Sequence, residues 1–171
     1  MTPDVVTSDA HAPPGRPAET KGPPLRVLVI SPTLEPGHGI PAPVEFANAL
    51  CAEGMSVMFA AAVGQLRPGL SRSVGYFLTD NSDQAPVKTA HELSHLIRHH
   101  RPDVVHAHGA RCALVTALAI QASRLHCARV MTHHTKQLRR LPRWIKAPML
   151  ARCADRFFAD SAALKDELES L

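Results

Sequence analysis

With 171 residues, 45% hydrophobic and 20% charged, the chain suits one globular domain with a real core. Five Phe, one Trp and one Tyr are its only aromatic residues, so the core must be mostly Ala, Val, Leu and Ile, which suits helices packed closely on a parallel sheet. The net charge of +4 is mild and locally concentrated, with Lys136, Arg139, Arg140, Arg143, Lys146 and Arg152 in one segment. The longest apolar run, Val57 to Val63, is far too short to span a membrane. No basic start followed by an apolar run marks a signal peptide. Cys51, Cys112, Cys127 and Cys153 form no CxxC pair and sit among apolar neighbours. They read as reduced core residues of a cytosolic protein, not a disulfide or zinc framework.

Residues 1–24 hold six of the fifteen prolines and little to bury, which predicts a disordered tail. The ordered domain, 25–171, opens on Leu25 to Ile30, a β-branched run ending in Ser31-Pro32 and read as a buried strand. Thr33 to Pro43 is a Gly- and Pro-rich loop. Val44, Phe46, Ala47, Leu50 and Cys51 recur at helical spacing, with Gly54 placed as a C-cap. Ser56 to Val63 is a second strand and Val74 to Leu78 a short third one. Val87 to His100 is amphipathic, and Pro102 ends it. Asp103 to His108 is the next strand. Ala110 to Leu125, apolar nearly all round, predicts a buried helix. Ala128 to Thr132 is a strand ending in His133-His134. A basic segment follows over 136–152, then a last strand, Asp155 to Ala159, and a helix capped by Ser161. Strands alternating with helices, without a repeat, predict a single α/β domain. Its sheet is Rossmann-like, doubly wound and mostly parallel, with helices on both faces.

Three stretches could carry chemistry. The loop Gly37-His38-Gly39 follows the first strand, where helix amides and glycine backbone can hold phosphate; it also reads as a plain proline-rich turn. His106 and His108 share a strand face. His106 reads as a hydrogen-bonded core histidine. His108 and His134 each close a strand just before a loop, in the region where open α/β sheets bind ligands. Either could bond a substrate hydroxyl or phosphate, or be an exposed strand end. No acidic residue or cysteine accompanies these histidines at ligand spacing, so no metal is expected among them. The segment 136–152 reads as a solvated helix face. It also reads as an interfacial helix, with cations on one side and Trp144, Ile145 and leucines on the other, although Pro142 and Pro148 interrupt it. No motif pairs the charge with nucleic acid.

Taken in order, these residues form a recognisable set: Arg26 to Ser31, the Gly37 loop, Phe46-Ala47-x-x-Leu50-x-x-x-Gly54, Arg101-Pro102-Asp103-Val104-Val105-His106-Ala107-His108-Gly109, Thr132-x-His134, Ala154-Asp155-Arg156, and Asp160-Ser161-x-x-Leu164-Lys165. The set resembles the N-terminal domain of family-4-type retaining glycosyltransferases, half of a GT-B fold. That resemblance implies an acceptor-binding half facing a second Rossmann-like domain, which would hold a nucleotide-sugar as substrate through two glutamates separated by seven residues. It implies no cofactor and no bound metal, and help from the donor's own phosphate in taking the acceptor proton. By the same resemblance His108 is the catalytic contact to the transferred sugar, and Gly37, His38 and Gly39 border the donor phosphate. His134, with Lys136, Arg139 and Arg140, lines the acceptor side, for a sugar, lipid or anionic acceptor, and Ser161 is structural. Here His38 replaces the second glycine of the family's pair and Pro41 replaces a polar residue. No glutamate pair with the required setting is found, and the chain stops at Leu171, where the second domain would begin. The expectation is therefore a glycosyltransferase-like half, inactive alone. It would be completed by a C-terminal domain or partner subunit, and would be cytoplasmic with peripheral contact to the inner membrane face through 136–152. The alternatives are a stand-alone binding module with the same fold and a fragment of another sugar-nucleotide enzyme.

Overall fold

The computed structural model describes residues 5–7, 22–34, 42–62, 64–65, 67–79, 85–133, 143–159 and 161–169. Its strands are β1 (Val5–Thr7), β2 (Arg26–Ile30), β3 (Ser56–Ala61), β4 (Gly75–Leu78), β5 (Val104–His108), β6 (Ala128–His133) and β7 (Arg156–Ala159). The helices are α1 (Ala42–Ala52), α2 (Pro86–His100), α3 (Ala110–Ser123), α4 (Arg143–Cys153) and α5 (Ala162–Glu169). Every strand pairing is parallel, in the order β1-β7-β6-β5-β2-β3-β4. This is the α/β, Rossmann-like arrangement expected from the alternating pattern. The chain runs outward from β2 through β3 to β4, then crosses back to β5 and runs outward the other way. The winding reverses between β2 and β5, and open α/β sheets bind their ligands beyond the carboxyl ends of the strands at such a point.

Each face of the sheet carries its own core. Leu28, Ile30, Val105, Ala107 and Met131 pack against buried residues of α2, α3 and α4, among them Leu93, Ile97, Val115 and Leu150. Val27, Val29, Val57 and Phe59 point the other way, onto Val44 and Ala47 of α1. The strands are short and apolar on both faces because helices cover both.

The helix ends follow local chemistry. Gly54, at φ 84, stands just past the end of α1, in the left-handed region that glycine enters without strain. Pro86 sits in the first turn of α2, where no amide partner is lost. The other end of α2 differs in detail from the sequence reading. Pro102 does follow the stop, but the preceding Arg101 is left-handed, at φ 48, rather than extended, and its N–H closes onto the Ile97 carbonyl.

Two expectations are corrected. Helix α3 is not buried all round: Leu114 and Leu118 are 41% and 45% exposed. The sheet and helices α2 and α4 cover its other sides and leave one apolar stripe outward. Within the stretch read as a disordered tail, Val5–Thr7 form an edge strand paired with β7. A β-branched triplet beside an open strand edge supplies the partner that the β7 backbone otherwise lacks. No helix among the described residues is long and apolar enough to cross a membrane.

Candidate functional site

His106 and His108 stand side by side at the carboxyl end of β5, beside the reversal point. The two-residue strand period puts both on the α1 face, as the sequence predicts. Their rings stack with centroids 4.7 Å apart and planes 15° off parallel. Phe46, half-buried on α1, sets its ring edge against both, at 4.6 Å from His106 and 6.0 Å from His108. Nε2 of His106 hydrogen-bonds the Thr132 hydroxyl at 2.6 Å; which of the two donates depends on the imidazole tautomer. His106 is thus the bonded core histidine that its pattern suggested. His108 is not an exposed strand end, since it is only 4% exposed. Its ring packs against His106 and, at greater distance, Phe46, so its direction is set by packing rather than by solvent.

The backbone after His108 is equally constrained. Gly109 has φ 88 and ψ 152, a region essentially reserved for glycine. Its N–H donates to the Thr132 carbonyl at 2.8 Å, and its own carbonyl accepts from Ala113 in the first turn of α3. Strand β5 therefore turns into α3 without a linker. The positive end of a 14-residue helix starts two residues beyond His108. A buried imidazole beside the first turn of a helix can donate to oxygen atoms of a polar or anionic ligand.

The other residues singled out in the sequence are placed less fully. Gly37, His38, Gly39, His134, Lys136, Arg139 and Arg140 lie outside the described residues. The strands that lead to them, β2 and β6, flank β5 on either side and run parallel to it. Ser161 is exposed, and its carbonyl accepts from the Lys165 N–H at the start of α5, a structural position. The cysteines are free. Burial pushes the Cys112 thiol up to about 12 and raises those of Cys127 and Cys153, so these are not poised as nucleophiles.

The opposite end of the sheet holds a different polar set, which sequence reading did not separate from the site. The Asp103 carboxylate accepts from the Arg26 backbone N–H at 2.9 Å and from its guanidinium at 2.9 and 3.2 Å. Asp155 repeats this arrangement on the backbone N–H and guanidinium of Arg129. In both, the guanidinium hydrogen bond leads in holding the carboxyl below its ordinary range. Each clip ties the amino end of one strand to the start of its neighbour. A groove of about 910 Å³ also lies at this end, between Leu118, Arg124, Cys127, Met149 and Arg152. It is remote from the reversal point, and its Arg129 and Asp155 are engaged with each other.

Sequence reading missed Phe46 and Thr132 as the supports of the histidine pair. Phe46 was visible only as part of a helix's apolar stripe. Thr132 is opposite His108 in the β5–β6 register and diagonal to His106, a neighbour relation that requires knowing which strands pair.

The sequence model of the family described as Glycosyltransferase Family 4 matches residues 43–171, from the first turn of α1 to the end of the chain. The chain belongs to glycosyltransferase family 4. The match takes in both histidines, Phe46, Gly109 and Thr132. Strand β2 and the Gly37-His38-Gly39 loop precede it. No curated protein matches the chain.

Proposed function

We propose that this family 4 domain is the acceptor-side half of a retaining glycosyltransferase, with His108 as the side chain that meets the transferred sugar. The carrying observation is the position of His108: buried, ring-clamped and at the carboxyl end of the strand beside the reversal point, in a domain of a glycosyltransferase family. A neutral imidazole there donates a hydrogen bond to a sugar hydroxyl, and the clamp means little ordering is needed when substrate arrives. The donor is a nucleotide-sugar, bordered on this side by the Gly37-His38-Gly39 backbone and gripped by a second Rossmann-like domain in the same protein or in a partner subunit. A donor phosphate oxygen takes the acceptor proton, and no bound metal takes part. His134, Lys136, Arg139 and Arg140 face a sugar or anionic lipid acceptor, and 136–152 rests on the cytoplasmic face of a membrane.

A sugar-transfer assay of the 171-residue chain, alone and with the donor-binding domain supplied, tests the division of labour. No turnover alone and turnover on addition is the expected result; turnover by the chain alone contradicts a half-site. Co-sedimentation with vesicles tests the membrane contact. Binding that requires anionic lipid and falls with salt is expected, and binding to neutral vesicles equally well contradicts it.

A further inference from the structure

Away from the crevice, α2 carries a second histidine pair. His91 and His95 are one helical turn apart and both exposed. Their Nε2 atoms are 3.1 Å apart, with ring centroids at 4.5 Å and planes 80° apart. Two imidazole nitrogens each about 2.05 Å from one ion stand ~2.9 Å apart in cis octahedral or square-planar positions and ~3.4 Å apart at a tetrahedral angle. The observed separation lies between these values, so an ion would need only small side-chain adjustments. We propose that His91 and His95 form a two-nitrogen site for a late first-row divalent cation, with Cu²⁺ held most tightly and Ni²⁺ and Zn²⁺ less so.

The helix is a firm base for such a site. Leu93 and Ile97 anchor it in the core, and Ser94 hydrogen-bonds the His91 carbonyl at 2.7 Å. Without metal, one Nε2–H donates to the other Nε2. To bind an ion, the donating ring moves its proton to Nδ1, so both Nε2 lone pairs point to the metal and no proton is lost. The sequence His91-Glu92-Leu93-Ser94-His95 has the H-E-x-x-H spacing that in zinc peptidases presents two ligands and a general base. The inference stops at binding. Glu92 is turned aside, 3.8 Å from Lys88 Nζ. No third His, Cys, Asp or Glu joins the pair among the described residues. His99, the next residue of the stripe, packs its ring against His100. Water, or a donor from a partner, completes the coordination. The pair escapes a search for adjacent and alternate histidines because its period is that of a helix.

The test is titration of the metal-free chain with Cu²⁺, read by calorimetry and by amide-resonance broadening. At substoichiometric Cu²⁺, broadening should begin around residues 91–95. His91→Gln and His95→Gln should each weaken this binding at least about tenfold, since each removes half of the protein's donors, and His99→Gln should leave it unchanged. Cu²⁺ should also raise the Tm of the wild-type chain and of His99→Gln, but not of the other two variants, because the ion bridges two turns of a folded helix. All three positions are exposed, so the variants are expected to fold. Unchanged binding and an unchanged Tm rise in both His91→Gln and His95→Gln would overturn the proposal. It does not rest on the transfer reading, and its readouts need no activity.

Discussion

The nine residues from Arg101 to Gly109 join the two ends of one strand, and the two ends are built differently. At the amino end Asp103 is saturated by Arg26: two guanidinium hydrogen bonds and one backbone amide, in an exposed pair that solvent can screen. At the carboxyl end His108 is buried, stacks on the His106 ring, and abuts a glycine in a glycine-only conformation. The Arg129–Asp155 clip repeats the first arrangement two strands away, between β6 and β7. An arrangement that recurs at two strand pairings, β2–β5 and β6–β7, serves the sheet. The histidine stack occurs once among the described residues, where the winding reverses. A charged, motif-like run can therefore be half scaffold and half site, and the division follows strand direction.

Five substitutions would break or sharpen this contrast. The largest effect is expected from His108→Ala in the transfer-competent protein: kcat down about a hundredfold to a thousandfold, roughly 3–4 kcal/mol, as for one lost transition-state donor. Next comes Gly109→Ala, which forces a Cβ into a glycine-only region. Denaturant unfolding should show a loss of about 1–3 kcal/mol, although no neighbouring atom lies within 4 Å of the added carbon. Thr132→Val removes the hydroxyl partner of a buried His106; a loss of about 1–2 kcal/mol is expected, with the stack loosened and KM or kcat altered through His108.

The smallest effect belongs to the clips. At neutral pH, Asp103→Asn or Asp155→Asn should cost under about 1 kcal/mol each. Their signature is in the pH dependence. Both carboxyls titrate lower in the folded chain than in the unfolded one, so their contribution is complete above the ordinary carboxylate range, about pH 4, and is lost as the pH falls toward the lowered folded values. Tm measured from neutral into acid should fall less steeply in the variants than in the wild type. Identical acid limbs would show that the clips do not couple to folding.

Much of the fold was legible because its signals are local. β-branched runs, helical spacing, Gly54 and Pro102 marked nearly every element. What was not legible depends on partners far away in sequence. Nothing in Val5–Thr7 announces β7 as its neighbour, and the outward stripe at Leu114 and Leu118 depends on which helices flank α3. At the site, alternation placed His106 and His108 on one face, and the position of His108 at a strand end suggested its importance. Its supports, Phe46 and Thr132, come from a helix and a strand that only the tertiary arrangement brings together. Asp103, part of the same recognisable run, could not be told from a site residue until Arg26 was seen beside it.

The central claim, that chemistry resides at the carboxyl end of β5 and scaffolding at its amino end, is tested most directly by measuring kcat and Tm for His108→Ala and Asp103→Asn side by side in the transfer-competent protein. The account predicts that His108→Ala loses turnover with its Tm nearly unchanged, while Asp103→Asn keeps turnover, loses a little stability at neutral pH and shows a shallower fall of Tm into acid. Wild-type turnover in His108→Ala, or collapse of turnover in a fully folded Asp103→Asn, would contradict it.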